Sequence, residues 1–246
     1  NLIMQIIKLN AIDSTNTYLK EILKTKSLED NTVVWTLNQF AGRGQQEAKW
    51  ESEPYKNLTF SILKRFENFH SEHHFILNMC ISLSIFRALK KLYIPDLSVK
   101  WANDILSEKK KICGILIENS LQKEYISTSI IGIGLNVNQI FFNNLPNVSS
   151  LQKITGKTFD LNEVLTIILN EIKKTFDDLT EKTYPNIFNE YHSHLFRINK
   201  PSTFELPDKQ KIIGYIRGVS EKGELQVEEE DNIIKKYRLK EIKLLY

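Results

Sequence analysis

The 246-residue sequence predicts a mixed α+β fold, a largely antiparallel sheet backed by helices, followed by a small all-β unit. Three observations carry this. Short β-branched runs alternate with long apolar-periodic segments over the first three quarters of the chain, which places strands and helices around one core. Three strand candidates, "LSVKW", "KICGILIEN" and "YISTSIIGIGLNVN", follow one another between residues 97 and 138 with polar turns between them. Near Lys200 the texture changes to short alternating segments punctuated by lysine, glycine and proline, at spacings suited to a small barrel.

In chain order, residues 3–9 alternate as a strand. In "DSTNTYLKEILKTK", Asp13 and Ser14 are capping residues ahead of Tyr18, Leu19, Ile22 and Leu23, an apolar stripe at helical spacing. "NTVVWTL" (31–37) and "NLTFSIL" (57–63) are β-branched strands, and the stretch "AGRGQQEAKW" (41–50) lies in the loop joining them. Residues 75–92 are apolar on most faces and long, which predicts a buried helix against the sheet. "NEVLTIILNEIKKTFDDL" is strongly helix-periodic, and another helix is placed around "NIFNEYHSHLF". "STFEL", "KIIGYIRGVS", "GELQVEEE" and "NIIKKYRL" complete the chain as strands. The expected division is therefore residues 1–197 and 198–246, the second unit being small enough to lean on the first.

Composition excludes more than it selects. With 33 Lys+Arg against 30 Asp+Glu the formal charge is +3, too mild to argue for general nucleic-acid or membrane affinity. No run has the apolar length that spans a bilayer and the start lacks a signal-peptide pattern, so a cytoplasmic protein is expected. Cys80 and Cys113 fall in apolar stretches and read as buried small hydrophobes.

The chemistry lies in the loops. Gly42 and Gly44 let backbone N–H groups approach a ligand, and Arg43 adds a forked donor suited to phosphate or carboxylate. An ordinary glycine-rich turn has the same composition. In "VKWANDILSEKKKICGILIEN", Lys100, Trp101, Asn103 and Asp104 end a strand, and a basic turn delivers Lys111 and Gly114 to the next; three consecutive lysines do not say which one points inward. "TGKTF" has the tail of a phosphate-binding P-loop, but Leu151 stands where its first glycine belongs. His70, His73 and His74 have helical ligand spacing and read as a solvated first turn, so no metal site is assigned.

Taken together, "DSTN", "GRG" followed by a tryptophan, "KWANDI" followed by a lysine and "GILIE", and "GIGLNVN" resemble, in order and rough spacing, the motifs of the biotin protein ligases. "GYIRGVSEKGELQVE" is similar to their small C-terminal barrel. The resemblance implies a catalytic domain like that of class II aminoacyl-tRNA synthetases plus a Src-homology-3-like barrel, without the DNA-binding domain of the repressor forms. It implies ATP with Mg²⁺ held through phosphates and water, biotin as substrate, biotinyl-5′-AMP as intermediate and a biotin carboxyl carrier protein as acceptor. It leaves the choice between monomer and homodimer open.

By motif position, Ser14, Thr15 and Asn16 should meet the biotin ring system, and Gln39, Gly42 and Arg43 the same pocket and its carboxylate end. Trp50 should cover the site and Gly114 line it. Lys111 matches the family lysine between the biotin carboxylate and the α-phosphate, with Arg43 and Asp104 as the other catalytic groups. Gly44, Gln45, Lys100 and Asn103 should lie near the nucleotide's phosphates, and Gly132, Gly134 and Asn136 beside its adenine. Two departures stand out. Gln45, Gln46, Glu47 and Ala48 replace a stretch in which many relatives carry another arginine and glycine, and Ala102 stands where proline is common. A lipoate or octanoate ligase shares the architecture, and a noncatalytic biotin- or nucleotide-binding regulator would keep the pocket without needing Lys111.

Overall fold

The computed structural model describes residues 4–45, 48–143, 145–230 and 232–246. Its first part is a seven-stranded sheet in the order β1-β2-β5-β9-β8-β7-β6. β1 (Ile6–Ile12) and β2 (Val33–Gln39) are parallel, joined through α1 (Thr15–Leu23), and every other neighbouring pair is antiparallel. The long central members are β5 (Leu58–His70), β8 (Lys110–Gln122) and β9 (Tyr125–Leu135), flanked by β6 (Leu97–Lys100) and β7 (Asp104–Ser107).

The two faces of the sheet do different work because side chains alternate along a strand. One face carries Ile131, Ile133 and Leu135 of β9 with Cys113 and Ile115 of β8. It is covered by α2 (His74–Lys91), α4 (Leu161–Asp177) and α5 (Tyr184–Ser193) in one continuous core. α2 is buried on nearly all sides, from Phe75 to Leu89, which explains its weak amphipathicity. The other face holds a smaller cluster in which Leu19 of α1 meets Val34, Leu63 and Ile130. Beyond that cluster the same face presents Gly132 and Gly134, and an open cleft begins there.

Several elements differ from the sequence reading. β1 starts at Ile6 instead of residue 3, and Ile3 lies outside the described residues, as do Gln46 and Glu47 of the loop. β5 runs to His70, beyond the apolar run that ends at Leu63; in residues 64–70 only Phe66 and Phe69 are apolar, three apart, so no strand pattern marks the extension. β7 was passed over as part of a turn; its four residues, "DILS", are too short for a pattern. The "TGKTF" segment, rejected above as a P-loop tail, is a helix end: α3 (Leu151–Thr155) stops at Gly156, which takes φ +72° and donates its N–H to Gln152 O at 2.8 Å.

The C-terminal part is a five-stranded antiparallel sheet, order β13-β12-β11-β10-β14. It comprises β10 (Pro201–Glu205), β11 (Lys211–Val219), β12 (Leu225–Glu228), β13 (Ile234–Tyr237) and β14 (Lys243–Leu245), the last a three-residue strand that its sequence does not mark. Phe204, Ile216, Leu225 and Val227 join the core of the larger sheet. Trp101 Nε1 donates to Gly223 O at 2.8 Å, and Val219 N donates to His192 Nε2 at 2.9 Å.

Candidate active site

The loop after β2 folds back on itself as a two-stranded ladder, β3 (Gly42–Arg43) against β4 (Lys49–Trp50), and lies across the open face of β8 and β9. Gly114 pairs with Gly134, and Leu116 with Gly132, so two glycines of β9 leave room above the sheet. The room is used: a Cβ on Gly134 would stand 2.7 Å from Cζ2 and Nε1 of Trp50, and one on Gly132 would stand 3.0 Å from Cγ of Asn16. Side chains at either position would displace the wall of the cleft.

Beneath the ladder is a cavity of about 220 Å³. Ser14, Thr15, Asn16 and Gln39 form one side, Arg43, Gly44, Gln45 and Trp50 the cover, and Asn103, Asp104, Lys111, Gly114, Gly132 and Gly134 the remainder. A second cavity of about 430 Å³ lies on the far side of Trp50 and Lys111, walled by Asn136, Gln139, Phe141, Phe142, Leu145 and Val148. Trp50, Lys49 and Lys111 line both. The structure therefore brings most of the anticipated residues into one cleft. Gly42 sits behind the cover against Gln39, and Lys100 faces a separate cavity at the C-terminal sheet.

Local structure explains why Lys111 is the inward lysine. Glu108 and Lys109, both at positive φ, make the tight two-residue turn between β7 and β8. One step on, Leu106 pairs with Lys111 and Ile105 with Cys113, leaving Ile112 as an extra residue. In a regular strand Lys111 would share the buried face of Cys113; the bulge turns it to the cleft while Ile112 and Cys113 both enter the core. There its Nζ lies 2.7 Å from Asp104 Oδ1 and 5.6 Å from the Trp50 ring centroid. Lys100 approaches the other Asp104 oxygen at 3.5 Å from behind. Burial pushes the adjacent Cys113 thiol well up, so it is neutral packing and not a nucleophile.

The polar side of the first cavity is an interlocked network. Ser14 caps α1, accepting from Thr17 N, and Thr15 N donates to Gln39 Oε1 at 2.9 Å. Ser61 Oγ lies 2.7 Å from Thr15 Oγ1 and 2.5 Å from Asn16 Oδ1. Asn16 Nδ2 donates to Glu118 Oε2 at 2.8 Å, so that amide is held by the protein at both ends. Asn103 is tied to β8 twice, its side-chain Nδ2 donating to Ile115 O and its backbone carbonyl accepting from Ile115 N at 3.0 Å.

Trp50 Nε1 and Asn136 Oδ1 are among the buried polar atoms with no hydrogen-bond partner in the described residues, and both lie beside the cavities. Asn136 Nδ2 is spent on Ser149 O at 3.1 Å, which leaves the carbonyl oxygen as a buried acceptor beside the second cavity. Such a group is costly to leave unsatisfied and is met by a ligand that brings a donor. An aromatic base with an exocyclic amine answers both the apolar wall of Phe141, Phe142 and Leu145 and this acceptor. Among the described residues there is no cluster of three or more metal-ligating side chains. A magnesium ion carried on nucleotide phosphates and water needs none. Glu118, Lys49, Ser61 and the wall of Phe141, Phe142, Leu145 and Val148 are among the site features that the sequence reading missed.

Residues 9–136, just over half of the chain, match the biotin/lipoate A/B protein ligase family. The bifunctional ligase/repressor BirA of Escherichia coli is 28% identical over 96% of this chain and 73% of its own length. The biotin–[acetyl-CoA-carboxylase] ligase of Mycobacterium tuberculosis is 24% identical over 86% and 79%. Among solved structures, the biotin protein ligase from Aquifex aeolicus in complex with biotin and ATP superposes with a TM-score of 0.79, at 30% identity and over 99% of each chain. No helix among the described residues is long and apolar enough to cross a membrane. A cleft built on glycine-bearing strands, a lysine placed by a bulge between two cavities, and likeness along the full length lead to one conclusion: the chain belongs to the biotin/lipoate A/B protein ligase family.

Proposed function

We propose that this chain is an ATP-dependent biotin protein ligase that works through the two joined cavities, biotin in the first and the adenine of ATP in the second. The observation that carries the reading is the position of Lys111 on the wall common to both, in a fold that matches a biotin protein ligase over its whole length. The biotin carboxylate attacks the α-phosphorus of ATP, the bond to the β-phosphate oxygen breaks, and pyrophosphate leaves. The ε-amine of a carrier lysine then attacks the acyl carbon of biotinyl-5′-AMP, AMP leaves with the bonding pair, and the nitrogen gives up a proton.

The side chains meet the needs of those steps. Attack of one anion on another is opposed by repulsion, and a fixed ammonium at Lys111 attracts both reactants and the charge that grows on the phosphorus oxygens. Asp104, ion-paired with Lys111 at 2.7 Å and Lys100 at 3.5 Å and lining the first cavity, is assigned to orient or deprotonate the incoming amine. Trp50 and the ladder of residues 42–43 and 49–50 cover an anhydride that water would otherwise hydrolyse. Asn136 accepts from the adenine amino group. The division at residues 197 and 198 assigns this chemistry to the first unit and leaves the second to buttress Trp101.

The acceptor is a lysine on a biotin carboxyl carrier protein or domain of the acetyl-CoA carboxylase type. Mass spectrometry of a biotin carrier domain and a lipoyl domain, each incubated with the protein, ATP, Mg²⁺ and both acids, decides the assignment. A gain of one biotin on the first carrier is expected; lipoate on the second without biotin on the first would move the chain to the lipoate branch of the family. Biotin-dependent exchange of pyrophosphate into ATP tests the first step alone and separates the enzyme from a noncatalytic regulator.

A further inference from the structure

We propose that Glu118 is a positioning residue that anchors the Arg43 end of the cover to α1 and β8. It lies on β8 on the same face as Gly114 and Leu116, two residues beyond Leu116, the last residue of that strand to line the first cavity. Its carboxylate takes Asn16 Nδ2 at 2.8 Å and Lys20 Nζ at 2.6 Å, and both oxygens lie 3.3–3.4 Å from Arg43 Nη2. Asn16 and Lys20 are four residues apart on α1 and so share one face of that helix. One side chain thus joins the helix, the central hairpin and the cover.

Its charge state suits the task. Burial by itself would raise the Glu118 carboxyl, but the hydrogen bonds from Lys20 and Asn16 and the nearby Arg43 charge outweigh it and hold the group below the usual carboxylate range. Glu118 is therefore an anion throughout the neutral range. The three contacts differ in character. Asn16 and Lys20 are close and belong to a rigid element, whereas Arg43 is longer, on a side chain 45% exposed and on a two-stranded ladder. A half-exposed pair of this length is weak, salt-sensitive and easily broken and remade, as a cover that must open for ligands requires.

Trp50 seals the other side of the same ladder by packing over Gly114 and Gly134. Gly42 pairs with Trp50, and Arg43 with Lys49, so the anchor and the seal are coupled through two rungs. Releasing Arg43 from Glu118 loosens the ladder and with it the seating of the indole. This role rests on the ligase reading only where it concerns the adenylate; the anchoring itself concerns the free protein.

The test is a double-mutant cycle of Glu118→Gln and Arg43→Ala with two readouts. Hydrogen exchange of residues 41–45 and 48–50 in the ligand-free protein should rise about 2–5-fold in Glu118→Gln, the range for loss of one exposed ion pair. Release of biotinyl-5′-AMP, followed by rapid mixing with a carrier-free chase, should rise by about the same factor. In the Arg43→Ala background Glu118→Gln should add nothing to either rate. Added salt should speed release from the parent protein and not from the single variants. Additive effects, or a lower melting temperature with unchanged cover exchange and release, would reduce Glu118 to a structural partner of α1 and overturn the proposal. Parent protein that makes no biotinyl-5′-AMP while Glu118→Gln still loosens the cover would instead overturn the ligase reading alone.

Discussion

Replacing Lys111 by alanine is the sharpest perturbation of the site, because the structure lets its effect be worked out. Two unit charges 4 Å apart interact by about 1 kcal/mol in water and about 4 kcal/mol at an effective dielectric near 20. The Lys111 side chain is 31% exposed before ligands cover it, which puts the loss in transition-state stabilisation between those limits, at about 2.5–3 kcal/mol. At about 1.4 kcal/mol per factor of ten, adenylate formation should slow by roughly 10²-fold. The fold should survive the change. Asp104 keeps Lys100 at 3.5 Å and is not left as an uncompensated buried charge, so the melting temperature should barely move. Single-turnover formation of biotinyl-5′-AMP, measured by quench at saturating biotin and ATP, reads the chemical step; biotin binding by calorimetry serves as the control and should change much less. A rate within about threefold of the parent would refute the reasoning, since that corresponds to under 1 kcal/mol.

Three further outcomes follow from the geometry. Asn136→Ala removes the unpaired acceptor beside the second cavity and should raise KM for ATP by roughly 2–12-fold, about the net value of one hydrogen bond, while biotin affinity stays within twofold in calorimetry. Gly134→Ala puts a methyl group into overlap with the Trp50 indole, 2.7 Å from its Cζ2 and Nε1; the ring must leave the cleft, and near-ultraviolet circular dichroism of the ligand-free protein should change together with a fall in adenylation. His192 is held below its ordinary value by burial, and its Nε2 must stay unprotonated to accept from Val219 N. A group with a lowered folded-state value contributes stability above its unfolded value of 6.5 and loses it as pH falls through the folded one. Thermal stability should therefore fall as pH drops from 7 to 5, and His192→Gln should flatten that slope; an unchanged slope would remove His192 as its source.

What could be read in advance was what local chemistry writes into short stretches. The helix of residues 74–91 announces itself by apolar residues on most of its faces between Phe75 and Leu89, and α1 by its serine cap and apolar stripe. The glycines of β9 and the loop carrying Arg43 and Trp50 were legible because few residue types tolerate close backbone approach. Pairing was not legible. Lys109, Lys110 and Lys111 are chemically alike, and only the register of β7 against β8, with its extra Ile112, turns the third one inward. Glu118 looks like an outward residue at the end of an apolar strand; its partners come from 75 to 102 positions away. Val148 and Phe142 became visible as a wall only after the chain beyond β9 folded back to pair Val148 with Lys111.

The placing of Lys111, Gly114 and Glu118 along one strand makes the length of the cleft a quantised property. Each residue of β8 contributes about 3.3 Å, so Gly114 and Glu118 are separated by about 13 Å of rigid strand. Loss of a single residue between them would invert the faces beyond the gap, sending Glu118 into the helical core and a core isoleucine into the cleft. Loss of two would restore the faces and shorten the cleft by about 6.6 Å in one step. Descendants of this protein therefore have no gradual path to a longer or shorter acid through the strand itself. Such change has to come from bulkier or smaller side chains on the cover and on α1, while the strand acts as a fixed gauge inherited whole.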